Sequence, residues 1–401
     1  MMRRTVQKGW LCGWVMASMA LFGCGSESAS PGEAGTSGSG GAASTGVATT
    51  GPAVPSSTSS GQASTEGTSA AGESSSEAGG ETSSGGGTST GGPFVPGDPL
   101  EVLCGTAPPQ GAELPPPLPE PSGACPPFIP GWNTFSSSGN ARDVLVVAPS
   151  DLAPDEQLPV AVLWHWLGGS AESFVDEADV QDAVNQFRFL ALVPAEKGDL
   201  LFRWPFSAVD TDERMQEEFV FFDDMLACAA QTYPVDNTCV SSVGVSAGAL
   251  FASQLGWGRS EYLSSIVVLS GGTGGGLVKP WNGAEHIMPA MVLWGGPADI
   301  CVALNFTETS ENLEDELMAD GHAVVECEHN CGHSAPPFES GEPDLTPYAG
   351  MWKFFLDHPY WLEDGETPWE AGTPSTLPEW CSVGIGSSTP REGICPDGGG
   401  C

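Results

Sequence analysis

Residues 239–257 read CVSSVGVSAGALFASQLGW, and a change of period inside this stretch decides the fold. Positions 240–245 alternate and include β-branched residues, as a short buried strand requires. Ala247, Leu250, Phe251 and Leu255 then recur at helical spacing. The junction is Gly244-Val245-Ser246-Ala247-Gly248, the pattern G-x-S-x-G at a strand-to-helix turn. Flanking Cβ atoms would collide in so tight a turn, and the serine at its apex is held strained with Oγ projecting into a cleft. The first amides of the helix face Ser246, where they can stabilise developing negative charge. The same pattern recurs at Gly87-Thr88-Ser89-Thr90-Gly91, in a Ser/Gly/Thr tract with no strand or helix around it. Context therefore selects Ser246 as the nucleophile, against the plainer reading of a small-residue packing turn.

A serine nucleophile needs a base, an acid that orients the base, and amides for the oxyanion. In a fold with this elbow the chain order is Ser, then Asp or Glu, then His. His286, His322, His329, His333 and His358 follow Ser246. His333, in Cys331-Gly332-His333-Ser334 just after an apolar strand, is placed to be the base, with His329 its nearest rival. His358 reads as the cap of the last helix, and His322 as the start of a strand. Asp299, in Gly295-Gly296-Pro297-Ala298-Asp299 after the strand over 290–294, is the expected acid. Asp320 and Asp344 fit less well. The run Trp164-His165-Trp166-Leu167-Gly168-Gly169 after an early strand supplies the second oxyanion amide, so the expected donors are the backbone N–H groups of Leu167 and Ala247. His165 reads as a structural, hydrogen-bonded histidine.

Around the elbow, strands are predicted over 144–148, 160–164, 189–193, 266–269, 290–294 and 323–327. Helices are predicted over 180–187, 214–231, 310–320 and 348–357. Strands alternating with helices imply an α/β fold, a mostly parallel central sheet with helices on both faces, in one domain over 140–360.

With these residues placed, the chain resembles the esterase group of α/β-hydrolases that contains polyhydroxybutyrate depolymerases, feruloyl esterases and acetylxylan esterases. The likeness rests on the H-x-x-G-G-S-x-x-S-F run from His165 to Phe174, on Tyr233-Pro234-Val235-Asp236, on the elbow, on the Asp299 loop and on Gly332-His333. It departs at Trp166, where the group usually has glycine after the histidine. The resemblance implies an α/β-hydrolase fold, ester hydrolysis through an acyl-enzyme, and no cofactor.

The rest of the chain has another character. Residues 1–23 have a basic start and an apolar run ending Leu21-Phe22-Gly23 before Cys24, the layout of a secretory signal. It resembles the lipobox of bacterial lipoproteins, which implies that Cys24 becomes the lipidated first residue of a protein at the outer membrane or cell surface. Residues 24–92 are nearly all Ser, Gly, Thr and Ala and cannot bury enough apolar surface to order themselves. As a flexible coil such a tether spans about 45 Å. Residues 93–139 form a Pro-rich lead-in, and 361–401 a Cys/Pro/Gly-rich tail expected to be stapled rather than packed.

The formal net charge of −39 repels phosphate backbones and anionic head groups. It argues against nucleic-acid partners and leaves lipid as the means of membrane attachment. A monomer acting on a polymeric or oligomeric ester is expected. Setting Cys12 and Cys24 aside, ten of the 12 cysteines remain, an even set that reads as disulfides in an exported protein. Local spacing favours Cys104 with Cys125 and Cys228 with Cys239, and convergence of the acid and base loops favours Cys301 with Cys327 or Cys331. Cys327, His329, Cys331 and His333 alternate as metal ligands can, but on one strand they are too linear to close a tetrahedron, so no metal is expected. Two other readings remain: a serine peptidase on the same scaffold, or a non-catalytic surface protein with Trp166, Trp204 and Trp281 as a binding platform. The mass of the native N-terminal peptide checks the export reading: it should start at a lipid-modified Cys24, and an unmodified cysteine there would remove the anchor.

Overall fold

The apolar runs become the strands of one large sheet in the computed structural model, which describes residues 100–395. The leader over 1–23, Cys24 and the tether over 24–92 lie outside the described residues. The strands are β1 (Gly131–Ser137), β2 (Asn140–Val147), β3 (Leu158–Trp164), β4 (Leu190–Pro194), β5 (Val235–Val245), β6 (Ser265–Leu269), β7 (Ala290–Trp294), the short pair β8 (Ile300–Cys301) and β9 (Leu304–Asn305), β10 (Val324–Glu328) and β11 (Cys381–Val383). Nine of them form the order β1-β2-β4-β3-β5-β6-β7-β10-β11, while β8 and β9 make a separate hairpin. Pairing is parallel from β4 through β3, β5, β6 and β7 to β10, and antiparallel at both margins.

Strands covered on both faces need apolar residues at every position, and all seven residues of β3 are buried. Alternation divides them between two cores. Val160, Val162 and Trp164 join Phe219 and Phe222 of α3 (Asp212–Ala230), Leu250 and Leu255 of α4 (Ala247–Gly258), and Leu313 of α5 (Phe306–Asp320). Ala161 and Leu163 face α1 (Ala171–Glu177), α2 (Val180–Phe187) and α6 (Ala349–Asp357) through Phe174, Val184 and Trp352. Helix α4 is buried all round from Ala247 to Gly256 and apolar there except at Ser253 and Gln254, as suits a helix wedged beneath the elbow. The expected α/β architecture with helices on both faces is thus present.

The ends of the domain differ from expectation. The sheet begins at Gly131 rather than near 140, because β1 pairs with β2 along its full length. The tail is packed as well as stapled: β11 pairs with β10, and Trp369 and Trp380 are buried in the second core. Helix α1 was not anticipated. It starts at Ser170, whose side chain accepts from Ser173 N–H while the Ser173 side chain bonds back, a capping box built on serine.

The disulfides correct the pairings expected from local spacing. Cys104 bonds Cys239 and Cys125 bonds Cys228. The reason is the sheet itself: Cys228 belongs to the core on one face and Cys239 to the core on the other, so closeness in sequence does not bring them together. The lead-in runs past both faces and supplies one partner to each. Cys327 bonds Cys381, and Cys331 bonds Cys395. Cys301 is disulfide-bonded too, but to neither Cys327 nor Cys331, which the tail has taken.

The Cys104–Cys239 bridge closes a loop with a sequence separation of 135. In the chain-entropy account such a closure stabilises by about 4–5 kcal/mol. Replacing both cysteines by serine should cost that much in denaturant unfolding, and peptide mapping without reduction should recover 104 with 239 and 125 with 228. A map pairing 104 with 125 would overturn the arrangement.

Candidate active site

The site forms where the carboxyl ends of β3, β5, β7 and β10 meet. Ser246 follows β5 with φ 54° and ψ −118°, a left-handed backbone that costs a non-glycine residue on the order of 1–3 kcal/mol. Close packing enforces it. A Cβ at Gly248 would lie 2.0 Å from Trp164 O, and one at Gly244 2.3 Å from Gly248 O. The absent side chains let α4 start directly against β3. Ser246 N–H donates to Leu269 O at 2.9 Å, which ties the turn to β6.

The expected residues meet there. Ser246 Oγ lies 2.9 Å from His333 Nε2, and His333 Nδ1 lies 2.6 Å from Asp299 Oδ1. With Nδ1–H donating to the carboxylate, Nε2 is left to accept the serine proton. The second carboxylate oxygen accepts from Ser270 Oγ at 2.7 Å and from Gly295 N–H at 2.8 Å. Burial pushes the Asp299 carboxyl up, but the bonds from His333, Gly295 and Ser270 outweigh it and hold the group below the ordinary carboxylate range. The ring of Phe306 stacks on His333 with centroids 4.2 Å apart, fixing the imidazole plane.

The rival histidine takes no part. Both ring nitrogens of His329 are buried without a partner, and burial pushes its pKa down to about 4. The alternating cysteines are not thiolates, since Cys327 and Cys331 are both in disulfides. The three tryptophans do not form a platform. Trp204 and Trp281 are buried, and Trp166 lies over Gly169, whose added Cβ would meet its ring at 2.7 Å.

Leu167 and Ala247 flank Ser246 in the wall of an apolar cleft of about 550 Å3, its open mouth included. The Leu167 amide makes no hydrogen bond to the described residues, and the Ala247 amide, first in its helix, has no helical acceptor. Phe206, Leu250, Leu277, Leu304 and Phe306 line the rest, with Ser207 the one other hydroxyl. The arrangement can transfer a proton from Ser246 to His333 and offer two amides to an oxygen beside it.

Sequence reasoning missed Ser270, Phe306 and most of the cleft. Ser270 directly follows β6, the strand between those bearing Ser246 and Asp299, so strand order could have found it. Phe306 opens α5, which was expected to start later. The cleft residues come from five separate segments whose meeting no local pattern encodes.

No family model matches the sequence, and no curated protein matches it. Among solved structures, native sOPH superposes with a TM-score of 0.53 at 16% identity, covering 67% of this chain and 99% of that one. Native pOPH gives 0.52 at 15%, covering 68% and 99%. A ferulic acid esterase from Anaeromyces mucronatus, in complex with ferulic acid, gives 0.43 at 13%, covering 58% and 90%. At such identities the two OPH superpositions establish a shared fold alone, and the fold is that of the α/β-hydrolases.

Asp299 offers a test of the geometry. A carboxyl held below its unfolded value contributes stability that is present above that value, near 3.8, and is lost as pH falls through the folded one. Ser270→Ala removes one stabilising bond, so it should cost about 1 kcal/mol at neutral pH and move the acid loss of stability to higher pH. Denaturant midpoints between pH 2 and 6 would show both; an unchanged acid limb would mean that Ser270 does not support Asp299.

Proposed function

We propose that this protein is a serine hydrolase of carboxylic esters. The observation that carries the proposal is the unbroken line from Ser246 Oγ through His333 to Asp299, 2.9 and 2.6 Å, opening into an apolar cleft. Ser246 attacks the ester carbonyl as His333 Nε2 takes its proton. The oxyanion is held by the amides of Leu167 and Ala247, and His333 returns the proton to the departing alkoxide. Water, deprotonated by the same histidine, then releases the acid from the acyl-enzyme. Asp299 keeps the Nδ1 proton in place throughout and stabilises the imidazolium.

The cleft bears on the substrate. Its walls are aromatic and aliphatic, which suits the acyl group of a hydroxyalkanoyl, feruloyl or acetyl ester of a polymer or its fragments. The lining has no Lys or Arg, so an uncharged acyl group suits it. Four disulfides among the described residues fit export to an oxidising compartment, and no described helix is long and apolar enough to cross a membrane. On this reading lipid at Cys24 supplies attachment, and the monomer is the working unit.

A fluorophosphonate probe should label one serine, in the peptide spanning 244–248. Ser246→Ala should abolish labelling and ester hydrolysis, with a loss on the order of a million-fold, and His333→Ala should be nearly as severe. His329→Ala should be mild. A panel of short- and long-acyl nitrophenyl esters, methyl ferulate, acetylated xylan and hydroxybutyrate oligomers identifies the acyl class. Cleavage of peptide amides but no ester would make it a peptidase, and full activity in Ser246→Ala would end the proposal.

A further inference from the structure

We propose that His165 is a buried imidazolium that locks the oxyanion loop, a positioning role that rests on the esterase reading above. The ring is fully buried at the end of β3, and both of its nitrogens face oxygen. Nδ1 lies 3.0 Å from the carbonyl oxygen of Trp166, and Nε2 lies 3.0 Å from Glu196 Oε2. A carbonyl oxygen can only accept, and so can a carboxylate. A neutral imidazole has one donor, so either tautomer would set a ring lone pair against an oxygen lone pair. The doubly protonated ring satisfies both contacts.

The surroundings suit a cation. Arg203 Nη1 donates to the other oxygen of Glu196 at 2.6 Å, so each oxygen of that group faces a nitrogen. Trp204 stands edge-on to the ring at 5.0 Å and donates its indole N–H to His165 O at 2.8 Å. The polar groups that meet the ring are thus one acid, shared with an arginine, and a carbonyl. A buried charge lacking such partners would be strongly disfavoured.

The consequence runs through one peptide plane. Trp166 C=O and Leu167 N–H belong to the same trans peptide, since no described bond is cis, and they point in opposite directions. By holding the carbonyl on one side, with Gly169 N–H also bound to it at 3.0 Å, His165 keeps the Leu167 N–H turned the other way, toward the cleft that Leu167 shares with Ser246. Rotation of this plane would replace an oxyanion donor with a repelling carbonyl. A cationic donor on the carbonyl also polarises the peptide and strengthens its N–H as a donor. The chain has Trp166 where similar esterases usually have glycine, and its ring lies over Gly169. The loop is therefore held from both ends.

The test uses the full chain labelled with 15N-histidine. His165 signals, assigned by their disappearance in H165Q, should include two ring N–H protons at neutral pH. A single N–H would overturn the inference whatever the enzyme does. Kinetics on an ester that the wild type cleaves supply the second arm. E196Q, which removes the counter-charge while keeping the size, should lower kcat about tenfold to a hundredfold with KM changed less than about threefold, since the lost stabilisation exists only in the transition state. Unchanged kcat in a folded E196Q protein would equally overturn it. Should H165Q fail to fold, the E196Q spectrum replaces it, with one of the two N–H signals expected to vanish. Absence of any ester hydrolysis by the wild type would instead overturn the esterase reading, so the two failures are told apart in one assay.

Discussion

The contact between α4 and β3 at Gly248 constrains the rest of the structure. Because Gly248 lacks a side chain, the helix starts against the carbonyl of Trp164, and this closeness forces Ser246 into its left-handed backbone. Three consequences follow from a single packing distance. The serine hydroxyl stands clear of the helix, the Ala247 amide is left without an acceptor, and β3 delivers the His165 loop to the same point. A larger residue at 248 would separate helix and strand, and each of these relations would be lost together.

Such a turn stores strain, and the surrounding order must hold it. Here the support is spread over both faces of the sheet and both ends of the chain. The lead-in is fastened at Cys239, the first residue of the buried run of β5, and to the last helix by Cys104 N–H to Leu356 O at 2.8 Å. The tail holds the opposite margin, where Cys331–Cys395 anchors the loop two residues from His333. The disulfides thus brace the strands that carry Ser246 and the base, which explains why segments that look like spacers in composition are buried in the structure.

How much of this was legible depends on the range of the interaction. The elbow, the parallel strands and α2 follow from periodicity over a few residues, which needs no knowledge of the rest. Ser246, Asp299 and His333 were legible because chain order and strand ends constrain them, and the structure brings them within hydrogen-bonding distance. The disulfide partners were not. Cys228 and Cys239 are close in sequence yet lie on opposite faces of the sheet, and which face a cysteine takes depends on the whole topology. Strands β1 and β11 escaped for a related reason: their half-polar sequences are strands only because a neighbour offers free backbone groups. His165 was read as structural, and only the position of Glu196, some thirty residues on by sequence separation of 31, reveals that its second nitrogen also meets an acceptor.

Charge connects the site to the chain as a whole. The sequence has 12 basic residues against 51 acidic ones, and five of the described arginines are paired with acids: Arg142 with Glu218, Arg214 with Asp199 and Glu218, Arg259 with Asp223, Arg188 with Glu156, and Arg203 with Glu196. None lines the cleft. On the proposed function, a neutral ester would enter without an electrostatic penalty and gain by burying its acyl group against the apolar walls. Hydrolysis changes the sign of this balance, because the product is a carboxylate in a cleft with no cation to receive it, within a strongly acidic protein. Repulsion then favours departure of the acid over rebinding. In the proposed reaction the excess of acid thus speeds product release, with apolar contact drawing the ester in and charge expelling the carboxylate.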